Sequence, residues 1–204
     1  MQVRRPNLSP MSATEGNPAP WARPDVRIGA VAAVAIAAAF VVWLVVRGGD
    51  SRSGSNPAPS VTAIAPTSAT PDRLRTLSIE EGRPIYWAGP RSSDTYELTR
   101  TTQDQIYVRY LPQGVPVGTK RSRYTIVGTY PVANAYDVLQ KLAQKEGETS
   151  FRVANGGIAV YDMSRSTNVY LAYPDSDVQI EVFDPSPARA RSLVTSGKIV
   201  PVGS

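Results

Sequence analysis

Residues Ile28 to Val46 read IGAVAAVAIAAAFVVWLVV, nineteen consecutive apolar or small residues without a charge. At about 1.5 Å of rise per residue a helix of that length reaches about 28 Å, close to the ~30 Å hydrocarbon core of a bilayer. Inside lipid only a helix or a closed barrel satisfies its own backbone hydrogen bonds, and one short segment closes no barrel. The stretch therefore predicts a single membrane-spanning helix with lipid as its partner, running through Ile28, Gly29, Ala33, Ala37, Phe40, Trp43 and Val46. It is longer than the apolar core of a signal peptide and runs into Arg47-Gly48-Gly49-Asp50 with no small-x-small cleavage site, which argues for an uncleaved anchor. Gly29, Ala33 and Ala37 recur every four residues, the spacing that lets two helices approach closely, so a weak homodimer through this helix is one expectation. Seven of the nineteen residues are Ala, however, and such spacing then arises from composition alone.

The flanks set an orientation. Residues 1–27 hold Pro6, Pro10, Pro18, Pro20 and Pro24 among small polar residues, which predicts a disordered tail. Arg4, Arg5, Arg23 and Arg27 precede the helix and Arg47 and Arg52 follow it, placing the N-terminus in the cytoplasm by the positive-inside rule. Residues 47–76 mix Gly, Ser, Thr and Pro-Ala and read as a disordered, semi-flexible linker. Residues 77–204 follow as a folded extracytoplasmic domain. The Ala, Pro, Arg, Gly and Val bias suggests a GC-rich bacterial genome, hence the cytoplasmic membrane of a bacterium, single-pass, with the N-terminus in and the domain out.

Charge and residue inventory narrow the chemistry. The chain carries 22 Lys and Arg against 17 Asp and Glu, but residues 79–204 hold 14 basic and 13 acidic side chains, a net of +1. The basic excess lies around the anchor, where it suits anionic headgroups rather than a nucleic-acid groove, so no nucleic-acid partner is expected. There are no cysteines and no histidines, which excludes thiol nucleophiles, thiolate metal sites and His-based triads. Asp175-Ser176-Asp177 alternates carboxylates but lacks the further oxygens, glycine and distal Glu of a calcium loop, and reads as a turn. No nucleophile elbow, phosphate loop or dinucleotide glycine pattern occurs. No catalytic residue, cofactor or metal is assigned.

Beyond Leu77 the pattern becomes that of strands. Pro84–Trp87, Thr95–Arg100, Gln105–Leu111 and Tyr124–Tyr130 alternate apolar and polar residues or gather strand formers, with a long Pro- and Gly-containing loop between the last two. Val132 to Lys145 switches to a three- and four-residue period, predicting a helix that stops at Gly147. Four more strands follow at Ser150–Val153, Gly157–Asp162, Asn168–Tyr173 and Val178–Phe183, with Asn155-Gly156 as a hairpin turn. Asp184-Pro185 then offers a cap for a helix over 186–196, and 199–202 an edge strand. QIYVRYL, YTIVGTYP, helix and GIAVYDM, VQIEVFDP, helix share an order, with Pro131 and Leu139 each 54 residues before Pro185 and Leu193. The expected fold is α+β: the membrane helix, the linker, then a small antiparallel sheet covered on one face by two helices.

Lys120, Arg121 and Arg123, next to Tyr124, form the dense basic cluster of the domain and are candidates for contact with an anionic ligand, against a reading as a solvated hairpin loop. The first expectation for function is a membrane-anchored protein displaying a domain that binds another membrane or envelope protein, or an anionic envelope polymer. The alternatives are a tethered hydrolase or ligase of envelope polymers using Asp, Glu, Ser or Lys, and a regulator facing the cytoplasm.

Overall fold

The computed structural model describes residues 62–121 and 123–204. The anchor segment Ile28 to Val46, and with it every residue of the expected membrane helix, lies outside the described residues. Among those described, no helix is long and apolar enough to cross a membrane.

Within the described residues ten strands and three α-helices follow in the order β1 (Thr67–Ala69), α1 (Pro71–Glu80), β2 (Tyr86–Trp87), β3 (Asp94–Arg100), β4 (Ile106–Pro112), β5 (Ile126–Pro131), α2 (Ala135–Leu142), β6 (Glu148–Arg152), β7 (Ile158–Asp162), β8 (Asn168–Ala172), β9 (Val178–Phe183), α3 (Pro187–Thr195) and β10 (Val200–Pro201). Eight of the strands form one sheet in the order β1-β3-β4-β5-β9-β8-β7-β6, and β10 and β2 form a small second sheet. Every pairing is antiparallel. The long-range pair β5–β9, Ile126 opposite Phe183 through Pro131 opposite Val178, joins the two hairpin-built halves.

Side-chain alternation sends each strand's residues to two faces, and both are covered. On one face Tyr96, Leu98, Val108, Val127, Val169, Leu171, Ile180 and Val182 pack in one apolar cluster with Leu74 and Leu77 of α1, Ala190, Leu193 and Val194 of α3, and Tyr86 and Trp87 of the small sheet. On the other face Ile158, Val160, Tyr170 and Ala172 meet Ala135, Leu139 and Leu142 of α2. Local chemistry starts α1 and α3 in the same way. Arg73 N–H donates to Thr70 Oγ1 at 3.2 Å ahead of Pro71, and Arg189 N–H to Ser186 Oγ at 3.4 Å ahead of Pro187. Such caps satisfy donors that the first helical turn leaves unpaired. The Asn155-Gly156 turn has φ of +56° and +73°, as a type I′ hairpin requires.

A small sheet covered on one face by two helices is therefore corrected to an eight-stranded sheet with three helices distributed over both faces. Two physical reasons account for the difference. Residues 67–69, inside the 47–76 stretch whose composition reads as linker, make an edge strand, and a helix over 71–80 begins inside it and crosses its end. The polar positions of β4 and β9 are also buried: Arg109, Gln179 and Glu181 are 5%, 1% and 3% exposed, so those strands have no solvent face. The 54-residue likeness reflects local chemistry rather than a symmetric duplication. Two antiparallel neighbours such as β5 and β9 can be related only by an axis normal to the sheet, which keeps each face on itself. Leu139 and Leu193 nevertheless pack on opposite faces.

Candidate functional site

A cleft of about 460 Å³ opens at one end of the sheet, where β3 begins, β4 ends, β5 is about to begin and β9 hands over to α3. Three arginines are among the residues that line it: Arg91 from the segment before β3, Arg123 from the β4–β5 loop, and Arg189 from the first turn of α3. Asp184, 1% exposed, forms part of the lining and is fully engaged by the protein. Thr125 Oγ1 donates to its Oδ2 at 2.7 Å and Ser186 N–H to its Oδ1 at 2.9 Å, while Arg189 Nε stands 3.9 Å away. The positive end of α3 is thus already met by Asp184 and by the Ser186 hydroxyl.

Arg91 is held in place rather than free to swing. Its guanidinium carbon lies 4.4 Å from the centre of the Tyr110 ring, and its Nη1 is 3.6 Å from Asp94. Tyr110 is itself anchored: its hydroxyl donates to Gly89 O at 3.1 Å and accepts from Ala88 N–H at 2.7 Å. Burial pushes the Tyr110 phenol well above the usual range, so the ring is a platform and not a proton donor at ordinary pH.

The loop that carries Arg123 is fastened to the sheet by a buried ion pair. Arg109 Nη2 donates to Glu97 Oε2 at 2.9 Å and to Thr119 O at 2.9 Å, and Gly118 N–H donates to the same carboxylate at 2.6 Å. The Arg109 guanidinium also lies 5.9 Å from the centre of the Tyr124 ring. A charge pair in low dielectric costs least when its remaining hydrogen-bonding capacity is used; here the loop backbone takes up part of it, at Thr119 O and Gly118 N–H, while Arg109 Nε is buried without a partner.

Of the basic cluster seen in the sequence, all three members are exposed, and only Arg123 lines the cleft; Lys120 and Arg121 do not. Among the described residues none of the three forms an ion pair. The sequence pointed at one of the three arginines. Arg91 and Arg189 are 98 residues apart in the chain, carry no motif, and meet only because β3, β4, β5 and β9 are adjacent.

A second polar constellation lies under the sheet's other face and is sealed. Glu181 accepts from the Tyr130 hydroxyl, from Asn168 Nδ2 and, at 3.3 Å, from the Tyr170 hydroxyl. Burial raises its carboxyl above the usual range against the opposing pull of these three donors. Tyr107 stacks edge-on against Tyr130 at 5.6 Å, with its own hydroxyl donating to Gln105 at 3.0 Å. The Asp175-Ser176-Asp177 run is a turn: Asp177 Oδ1 accepts from Asn134 N–H at 2.8 Å and Ser176 Oγ from Val178 N–H at 3.3 Å. Among the described residues no group of three or more carboxylates is placed to hold a metal ion. Compared with known protein families, with curated proteins and with solved structures, the chain matches none.

Proposed function

We propose that this is a single-pass protein of a bacterial cytoplasmic membrane that presents its folded domain outside, and that the domain binds an anionic ligand in the cleft between β3, β5 and α3. The convergence of Arg91, Arg123 and Arg189 on one cavity carries the reading. Planar guanidinium groups bind carboxylate and phosphate through paired hydrogen bonds, and Arg91 is pre-oriented by Tyr110, which lowers the entropic cost of binding. Arg123 is exposed and brings a charge that no carboxylate of the described residues neutralises. The apolar run Ile28 to Val46 and the arginines preceding it support the anchor and its orientation. An anionic envelope polymer fits this chemistry and place. A hydrolase or ligase reading has less to draw on, because Asp184 is consumed by Thr125 and Ser186 and Glu181 is sealed.

The test is titration of the full chain, in detergent micelles, with short-chain polyphosphate. Binding that weakens with added salt and falls about tenfold or more in Arg123→Gln, but not in Lys120→Gln, is expected. Equal loss in both variants, or none in either, overturns the cleft. A reporter fused to the C-terminus that is active only in the cytoplasm overturns the orientation.

A further inference from the structure

Thr62 is where the chain coming from the apolar run joins the domain. Its N–H donates to Thr102 Oγ1 at 3.3 Å and its carbonyl accepts from Thr102 N–H at 3.0 Å, which holds it at the β3–β4 turn. Ala63 bridges Thr101, and Ile64 N–H donates to Arg100 O at 2.7 Å. The arginine cleft lies at the opposite end of the sheet, where Asp94 at the start of β3 stands across from Pro112 at the end of β4. The seven residues of β3 put about 20 Å of sheet between the two ends.

The end that receives the chain also holds apolar side chains in water. Ile64 is 53% and Ile79 77% exposed. Ile79 belongs to the last turn of α1, and Glu81 just beyond that helix pairs with Arg100 and, at 3.4 Å, with Arg83, whose Nη2 donates to Asp104 O. Both isoleucines therefore stand by the segment 100–104 to which Thr62 is fastened. Charge is balanced in that corner, Arg83 and Arg100 against Glu81 and Asp104, so its attraction for a surface is apolar rather than ionic. Met163, also exposed, is on the β7–β8 turn at the cleft end. Single apolar side chains on a surface are ordinary. Two of them beside the entry of an apolar anchor have a lipid surface within reach.

We propose that the domain stands on this end, with Ile64 and Ile79 against the lipid surface and the arginine cleft turned away, so that the cleft takes an anionic polymer of the envelope and not the headgroups of the membrane that anchors the chain. Phosphate and carboxylate are common to both sources, and position separates them. The inference rests on the cleft and the anchor proposed above and adds the side from which the ligand arrives. The fifteen residues 47–61 reach about 50 Å only when fully extended. Turning the cleft onto the headgroups lifts Thr62 by the height of the sheet, which draws those residues out at a cost in chain entropy and returns both isoleucines to water. Upright, the domain holds the cleft about two Debye lengths from the surface at physiological salt, beyond the reach of lipid charge.

The chain has no cysteine, so a single introduced thiol carries a fluorophore to a chosen end. Full-length Gln103→Cys, at the β3–β4 turn, and Lys120→Cys, in the loop at the cleft end, are labelled and reconstituted into vesicles of phosphatidylcholine, alone or with phosphatidylglycerol, that carry a headgroup-attached quencher. Quenching is expected to be at least about threefold stronger from position 103 than from position 120 in both lipids, and Ile64→Ser with Ile79→Ser is expected to reduce that contrast. Polyphosphate affinity of the unlabelled chain is expected to agree within about twofold between the two lipids. Equal quenching at the two positions, stronger quenching at position 120, or about tenfold weaker polyphosphate binding in phosphatidylglycerol vesicles overturns the inference. A contrast untouched in the double variant overturns the role of the isoleucines. Absence of polyphosphate binding in micelles strikes the cleft and leaves the quenching contrast as it is, whereas a chain that fails to float with the vesicles overturns the anchor and this inference with it.

Discussion

The buried pair Glu97–Arg109, at 4% and 6% side-chain exposure, ties the β4–β5 loop to the sheet and so fixes the height at which Arg123 enters the cleft. Glu97→Ala leaves a guanidinium buried without its counter-charge, and a loss of about 3–5 kcal/mol in urea unfolding is expected. Replacing both partners, as Glu97→Leu with Arg109→Met, is expected to recover most of that loss but not the polyphosphate affinity, since the loop loses its fastening. Glu181 makes a different prediction. Burial holds its folded carboxyl above the ordinary value near 4.5, with the Tyr130 and Tyr170 hydroxyls and Asn168 facing it and Glu148 near Tyr170. A raised folded value means a contribution to stability that is complete below about pH 4.5 and is lost as pH rises through the folded value. Glu181→Gln removes that dependence, so the unfolding free energy of wild type relative to the variant is expected to fall as pH rises above about 4.5. A difference flat with pH would show that the three donors cancel the effect of burial. Neither residue was legible in the sequence. ELT and QIEV alternate as half-exposed strands do, and only burial of the second face turns their polar positions into interior ones.

At the scale of elements, α1 shows why a linker reading stopped too late. Thr70-Pro71-Asp72 is a cap, a first-turn proline and a favourable acid, but the segment offers only Leu74 and Leu77 as buried residues and leaves Ile79 77% exposed. Two leucines one turn apart make a weak period within a Pro- and Ser-rich stretch. Both are nevertheless fully buried, and Leu74→Ala is expected to cost about 2–5 kcal/mol, with Thr70→Ala costing about 1 kcal/mol, by chemical denaturation. The α3 cap was legible as chemistry and shifted by two residues: Ser186 and Pro187 take the roles that Asp184 and Pro185 also fit, because Asp184 is drawn to Thr125 and Ser186 N–H. In β5, Gly128 leaves room for the Tyr130 ring on its way to Glu181. A Cβ added there would stand 2.8 Å from the Tyr130 oxygen, and Gly128→Ala is expected to cost about 1–3 kcal/mol.

For the whole molecule, the consequence of β1 and α1 is a testable boundary. A chain beginning at Leu77 lacks Leu74 and the strand that covers β3, exposing Leu98 and Tyr96 of the shared apolar cluster. It is expected to lose the cooperative thermal transition in circular dichroism that a chain beginning at Thr62 retains. Equal melting of the two would show that α1 is dispensable. The apolar run, the absence of cysteine and histidine, the confinement of basic excess to the flanks, and the position of nearly every strand from β2 to β9 followed from the sequence, because hydropathy, charge and turn chemistry act over a few residues. The order of the strands, the use of both sheet faces, the burial of Arg109 and Glu181, and the meeting of Arg91, Arg123 and Arg189 were decided by tertiary structure alone. They depend on β5 pairing with β9 across some fifty residues of chain. That pairing is set by the joint burial of two apolar faces, which no local pattern records.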